Sequence, residues 1–132
     1  MKKLIFIILL FIVVVINNQT VAQNSIDTLR VTSDSTYGYT EENPIKVGGV
    51  NEKRGPDNEK AFLNALLGPD GQELTYKREG SCCPFETPNG FAGYGLLDIY
   101  EIKYEGLEEA IILYINMYDS EELFVPVGFT KK

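Results

Sequence analysis

Two segments in the second half of the chain constrain its fold more than any other feature. Residues 96–104 and 110–118 alternate at the two-residue period of a β-strand, and only Glu105-Gly106-Leu107-Glu108-Glu109 separates them. That arrangement predicts a long hairpin. In its second arm Ile111, Leu113, Ile115 and Met117 fall on one face, while Ile112, Tyr114, Asn116 and Tyr118 fall on the other. The first set is expected to be core, so another layer must cover it. Phe62, Leu63, Leu66 and Leu67 recur at three- and four-residue spacing and form the apolar stripe of a helix. Gly55-Pro56 opens that helix with a proline whose φ is already helical, Asp57 and Glu59 place negative charge at the positive end of its dipole, and Gly68-Pro69 ends it. One helix beside several strands predicts a small two-layer α+β domain, an antiparallel sheet with the helix packed on one face.

The remaining segments fill in this plan. Pro44 to Val47 reads as a short strand stopped by Gly48-Gly49, and Pro69-Asp70-Gly71 is a turn leading into an alternating strand at 73–79, where Leu74 and Tyr76 share a face. Residues 80–95 hold Cys82-Cys83-Pro84, Pro88-Asn89-Gly90, Gly93 and Gly95, and they read as a long irregular stretch. Long loops in compact domains usually bind something or stay mobile, so this segment is the first place to look for function. Residues 23–40 are polar and rich in Ser and Thr, with a short alternating piece at 26–31; they read as a loose leader or a first edge strand. The chain shows no internal repeat and no second domain.

The N-terminus indicates where the domain works. Lys2 and Lys3 precede an unbroken apolar run from Leu4 to Ile16, followed by a polar stretch with Thr20-Val21-Ala22. This is the order of a secretory signal peptide. As a helix the apolar run rises only about 20 Å, short of the roughly 30 Å hydrocarbon layer. The expected division is a signal peptide over 1–22, cleaved after Ala22 with Gln23 as the alternative, and a single domain over 23–132. A bacterial lipid anchor would need a cysteine at the cleavage point, and the two cysteines lie far from it, at Cys82 and Cys83. The expectation is therefore a soluble bacterial protein, periplasmic or secreted, with no membrane anchor after cleavage. Loss of Lys2 and Lys3 leaves 10 basic against 19 acidic residues, a net charge of −9. Such a surface repels phosphate backbones and anionic lipid, which disfavours nucleic acid and membrane surfaces as partners.

The adjacent cysteines admit three readings: a vicinal disulfide, two buried thiols, or a bridge to another chain. Neighbouring Cα atoms about 3.8 Å apart lie below the usual disulfide range, and Pro84 biases Cys83 toward extended backbone, which turns adjacent side chains apart. The pair lacks the spacing of a zinc site, and the chain has no histidine to complete a tetrahedron or to activate a nucleophilic cysteine. Gly90, Gly93 and Gly95 do not have the spacing of a phosphate cradle, so no cofactor is expected. The acidic groups Asp119-Glu121-Glu122 and Glu105-Glu108-Glu109 do not match a calcium loop and read as solvated turns. Tyr94, beside the Gly-rich stretch, and Tyr100, Tyr104, Tyr114 and Tyr118, on the strands, offer the best binding surface.

The segments Tyr37-Gly38-Tyr39-Thr40, residues 42–49, Gly80-Ser81-Cys82-Cys83-Pro84-Phe85, residues 95–101 and residues 113–118 resemble a family of small exported bacterial proteins often labelled 2-dehydro-3-deoxyphosphooctonate aldolase. The resemblance spans most of the mature chain. It implies a shared fold and an exported setting, and its label implies a lyase. The barrel known for that reaction needs about 250 residues, against about 110 in the mature chain. The leading expectation is accordingly a non-catalytic module that binds a small ligand or protein partner through residues 80–95, Cys82, Cys83 and the tyrosines. The alternatives are a lyase, in which Lys46, Lys77, Arg78 or Lys103 would converge with a carboxylate in a pocket, and a thiol–disulfide protein. N-terminal sequencing of protein recovered from the producing cells should begin at Gln23 or Asn24; an uncleaved leader would overturn the export assignment.

Overall fold

The computed structural model describes Ile26 and residues 28–132, so the expected signal segment and its cleavage point lie outside the described residues. The elements run β1 (Arg30–Val31), β2 (Ile45–Lys46), α1 (Gly55–Ala65), β3 (Leu66–Leu67), β4 (Thr75–Phe91), β5 (Tyr94–Lys103), β6 (Ile111–Asn116), β7 (Phe124–Val125) and β8 (Thr130–Lys131). The main sheet has the order β2-β6-β5-β4. The class is α+β, as the patterning predicts.

The hairpin forms with the register that buries the expected face. Asp98 opposes Ile115, Tyr100 opposes Leu113, and Ile102 opposes Ile111. Tyr100, Ile102, Leu113 and Ile115 are buried in one cluster with Phe62, Leu63 and Leu66. Helix α1 therefore lies over this face and removes both apolar surfaces from water. At its first turn the helix closes on Met117: a Cβ at Gly55 would lie 2.7 Å from the Met117 sulfur. Glycine permits that approach.

Three expectations need correction. The sheet is mixed rather than purely antiparallel, because β2 runs parallel to β6 with Ile45 opposite Ile115. The long excursion through α1, β4 and β5 between them supplies the crossover that a parallel pair requires. The helix ends at Ala65, three residues before Gly68, and Leu66 adopts extended backbone at φ −88° and ψ 152°. Leu66 remains buried, but in strand β3, where the C-terminal strand β8 pairs with it and Lys132 N–H donates to the Ala65 carbonyl at 2.9 Å. That pairing satisfies backbone groups a further helical turn would otherwise have bonded.

The third correction concerns residues 80–95, which are not an irregular loop. Strand β4 continues to Phe91 and turns through Ala92 and Gly93 directly into β5. Both turn residues have left-handed backbone, φ 51° and 83°, the requirement of a tight two-residue hairpin. Register shifts at Arg78/Gly80, Cys82/Phe85 and Glu86/Phe91 absorb the glycines and prolines. The strand tolerates them because β4 is an edge, where a proline that cannot donate to a ladder does least harm.

Of the two readings for residues 23–40, a short edge strand forms at Arg30–Val31, parallel to β7. Tyr37 beyond it is buried, stacks edge-on against Phe124 and accepts the Phe124 N–H through its hydroxyl at 3.1 Å. Among the described residues, no helix is long and apolar enough to cross a membrane. Because Phe62 is fully buried between α1 and the sheet, Phe62→Ala should lower the unfolding free energy by about 3–5 kcal/mol in urea denaturation. A loss below about 1 kcal/mol would contradict this packing.

Candidate functional site

The β4–β5 hairpin carries most of the chemistry of this protein, and two polar clusters fix it in place. Near its base, Arg78 on β4 grips Asp98 on β5 with Nε–Oδ2 at 2.9 Å and Nη2–Oδ1 at 3.0 Å. Ser81 donates to the same carboxylate at 2.8 Å. Beneath this pair, Tyr100 donates its hydroxyl to Glu59 Oε2 at 2.8 Å. Glu59 is fully buried, and its Oε1 has no hydrogen-bond partner. The residue expected to place negative charge at the helix dipole's positive end points into the interface between helix and sheet. Burial pushes the Glu59 carboxyl up to about 7, against the lowering effect of the Tyr100 hydroxyl, and the nearby Asp98 charge raises it further. Burial, then Glu59 itself, raises the Tyr100 phenol.

The second cluster holds the far half of the hairpin. Asp119, in the turn after β6, accepts from Thr87 Oγ1 at 2.6 Å and Asn89 Nδ2 at 3.1 Å, and from Asn116 Nδ2 at 3.0 Å. Asn51 donates to Asn89 at 2.9 Å and ties in the loop before α1. Partial burial would raise the Asp119 pKa, but the hydrogen bonds from Thr87, Asn116 and Asn89 outweigh it and hold the carboxyl below its usual value. Asp119 is thus a tether rather than a solvated turn residue.

Beyond this tether the hairpin end is apolar and open. Phe91 is 94% exposed, and Tyr94 and Leu96 are also exposed. Glu86, Thr87, Pro88, Gly93 and Tyr94 line an open concavity of about 440 Å³ beside them. Thr87 N–H donates to the Gly93 carbonyl at 3.0 Å and closes the turn.

Cys82 and Cys83 form a vicinal disulfide on β4, which selects the first of the three readings. Cys83 adopts φ 61°, so the extended bias of Pro84 is overcome locally. The register shift between Cys82 and Phe85 accommodates this conformation. Both residues are half-buried, and an oxygen of the exposed Glu41 carboxylate lies within 4.8 Å of both sulfurs.

The tyrosines do not form one surface. Tyr100 lies in the core; Tyr104 packs edge-on against Phe129, and Tyr118 packs edge-on against Phe85. Tyr114 opposes Ile99 on the sheet face away from Tyr100. Only Tyr94 stands at the open hairpin end. Of the mid-chain cations, Lys46 pairs with Glu121, Lys77 with Glu79, Arg78 with Asp98 and Lys103 with Glu101. Each is already held by a carboxylate, and none lines the concavity.

Phe91, Glu59, Asp98 and Asp119 were not distinguished by the sequence as members of a site. A large aromatic between Asn89-Gly90 and Gly93 was the available signal for Phe91, because a turn tip has no core in which to bury it. No family model, curated protein or solved structure matches this chain.

The Glu59 environment has a consequence for stability. Its carboxyl titrates near 7 when folded and near 4.5 in an unfolded chain, so the native state binds the extra proton between these values. Stability must therefore fall as pH rises through that window, by about 3 kcal/mol, and level off above it. Urea denaturation from pH 4 to 8 should show this decline relative to Glu59→Gln, which carries no ionisable group; parallel curves would refute it.

Proposed function

We propose that this protein is an exported, non-catalytic binding module that engages a protein partner through the distal end of the β4–β5 hairpin. The observation that carries this reading is the nearly complete exposure of Phe91 on a turn anchored by the Asp119 cluster. Isolated apolar side chains on a surface are ordinary, but here Phe91, Tyr94 and Leu96 stand together on a constrained hairpin beside a concavity. A surface fixed in advance loses little conformational entropy on association, and aromatic anchors commonly dominate binding energy. The apolar tip suits a partner with an apolar pocket, while the acidic surface disfavours nucleic acid and anionic lipid. The leader sequence supports an exported setting.

One observation favours a thiol–disulfide role as a second reading, namely the bridged Cys82–Cys83 pair on the same hairpin. The lyase label of similar sequences draws less support, since the candidate cations are engaged one by one with carboxylates rather than gathered in a pocket.

A photo-crosslinking residue placed at Phe91 or Tyr94, in cells that produce the protein, should yield a discrete adduct that the same residue at exposed Asp70 does not. Identical patterns at all three positions, or no adduct at either hairpin position, would overturn the proposal.

A further inference from the structure

We propose that reduction of the Cys82–Cys83 bridge opens a site for a thiophilic divalent metal ion, formed by the two thiolates and the Glu41 carboxylate. The sequence argued against a metal here, because adjacent cysteines lack the spacing of a zinc site and the chain has no histidine to complete the donor set. The tertiary structure supplies a further donor. A Glu41 oxygen and both sulfurs lie within 4.8 Å of one another, and the half-buried position of the cysteines leaves them open to a reductant and an ion.

The geometry suits the change. With Cys83 in the left-handed region, the two sulfurs already stand on the same side of the strand. Two metal–sulfur bonds of about 2.3 Å at a tetrahedral angle need the sulfurs roughly 3.8 Å apart, a separation that side-chain rotation supplies once the S–S bond is broken. A carboxylate oxygen then completes three ligands and leaves the fourth position to water. Thiolate-rich donor sets favour zinc and its soft congeners over magnesium or calcium.

The turn that carries Glu41 does not depend on the bridge for its position. It is fastened internally by Asn43 Nδ2 donating to Asp34 Oδ2 at 2.9 Å and by Gly38 N–H donating to the Asn43 carbonyl at 2.8 Å. Tyr114 N–H then donates to the Gly38 carbonyl at 2.8 Å and fixes the turn to β6. The backbone that carries Glu41 therefore stays in place when the sulfurs part, and its exposed side chain is free to follow the ion.

The site exists in one redox state only. A dithiol reductant attacks one sulfur, forming a mixed disulfide; its second thiol resolves that bond, so two electrons enter the protein, the reductant leaves as its own disulfide, and both cysteines become thiols. Metal binding then displaces two protons to give the thiolates. In the oxidised protein the sulfurs are bonded to each other and make poor donors.

Cadmium(II) is the probe, followed by native mass spectrometry and ultraviolet thiolate-to-metal absorption. Reduced wild-type protein should take up a single ion with that absorption, and the oxidised protein should take up none. Reduced Glu41→Gln, which leaves the cysteines intact, should bind roughly tenfold or more weakly, and the double variant Cys82→Ser/Cys83→Ser should show no absorption. Equal uptake by oxidised protein, undiminished affinity in Glu41→Gln, or loss of the folded near-ultraviolet circular dichroism on reduction alone would each overturn the proposal.

Discussion

The packing of α1 across the Tyr100–Leu113 face of the sheet is the contact on which the rest of the molecule depends. Phe62 and Leu63 from the helix, and Leu66 from β3 just beyond its end, meet Tyr100, Ile102, Leu113 and Ile115 from the hairpins in one continuous core. Because hydrophobic burial is non-directional, this layer fixes adjacency but not orientation. Orientation comes from polar groups: the Tyr100 hydroxyl on Glu59, buried at the interface, and the Tyr76 hydroxyl on Asn64 at 2.9 Å, on its exposed rim. A buried carboxyl with one unpartnered oxygen costs stability when charged, so the fold carries a pH-sensitive group at its structural centre.

Strand β5 transmits that order outward. One side of it pairs with β6 in a regular register, while the other carries β4, whose three register shifts make it a twisted and irregular edge. Such an edge resists pairing with another chain, since bulges and prolines interrupt the ladder a new strand would need. The same irregularities place the chemistry. One shift accommodates the vicinal disulfide, and the last leads to the tip where Phe91 and Tyr94 stand exposed. The Arg78–Asp98–Ser81 cluster and the Asp119 cluster grip the hairpin on either side of the disulfide, so an exposed tip and a fixed backbone coexist.

Much of the scaffold was legible in the residues. The hairpin around residues 105–109, the helix beginning at Gly55-Pro56 and the core face of Leu113 and Ile115 follow from periodicity and turn chemistry, which are local properties. The continuation of β4 through Gly80, Pro84 and Pro88 was not legible, because each breaks a strand by its own propensity and only pairing with β5 overrides it. The apolar stripe at Leu66 and Leu67 fitted a last helical turn equally well; the approach of β8, from the far end of the chain, made it a strand.

For the site, the chain alone determined that two cysteines adjoin, that no histidine is present, and that an aromatic sits among turn residues. Tertiary structure alone decided that the cysteines are bridged to each other, that Glu41 lies beside them, and that Tyr100 is core while Tyr94 is open. The division has a physical cause. Covalent neighbours and side-chain periodicity are written in local order, whereas the company a carboxylate, sulfur or phenol keeps depends on which distant segments burial brings against it.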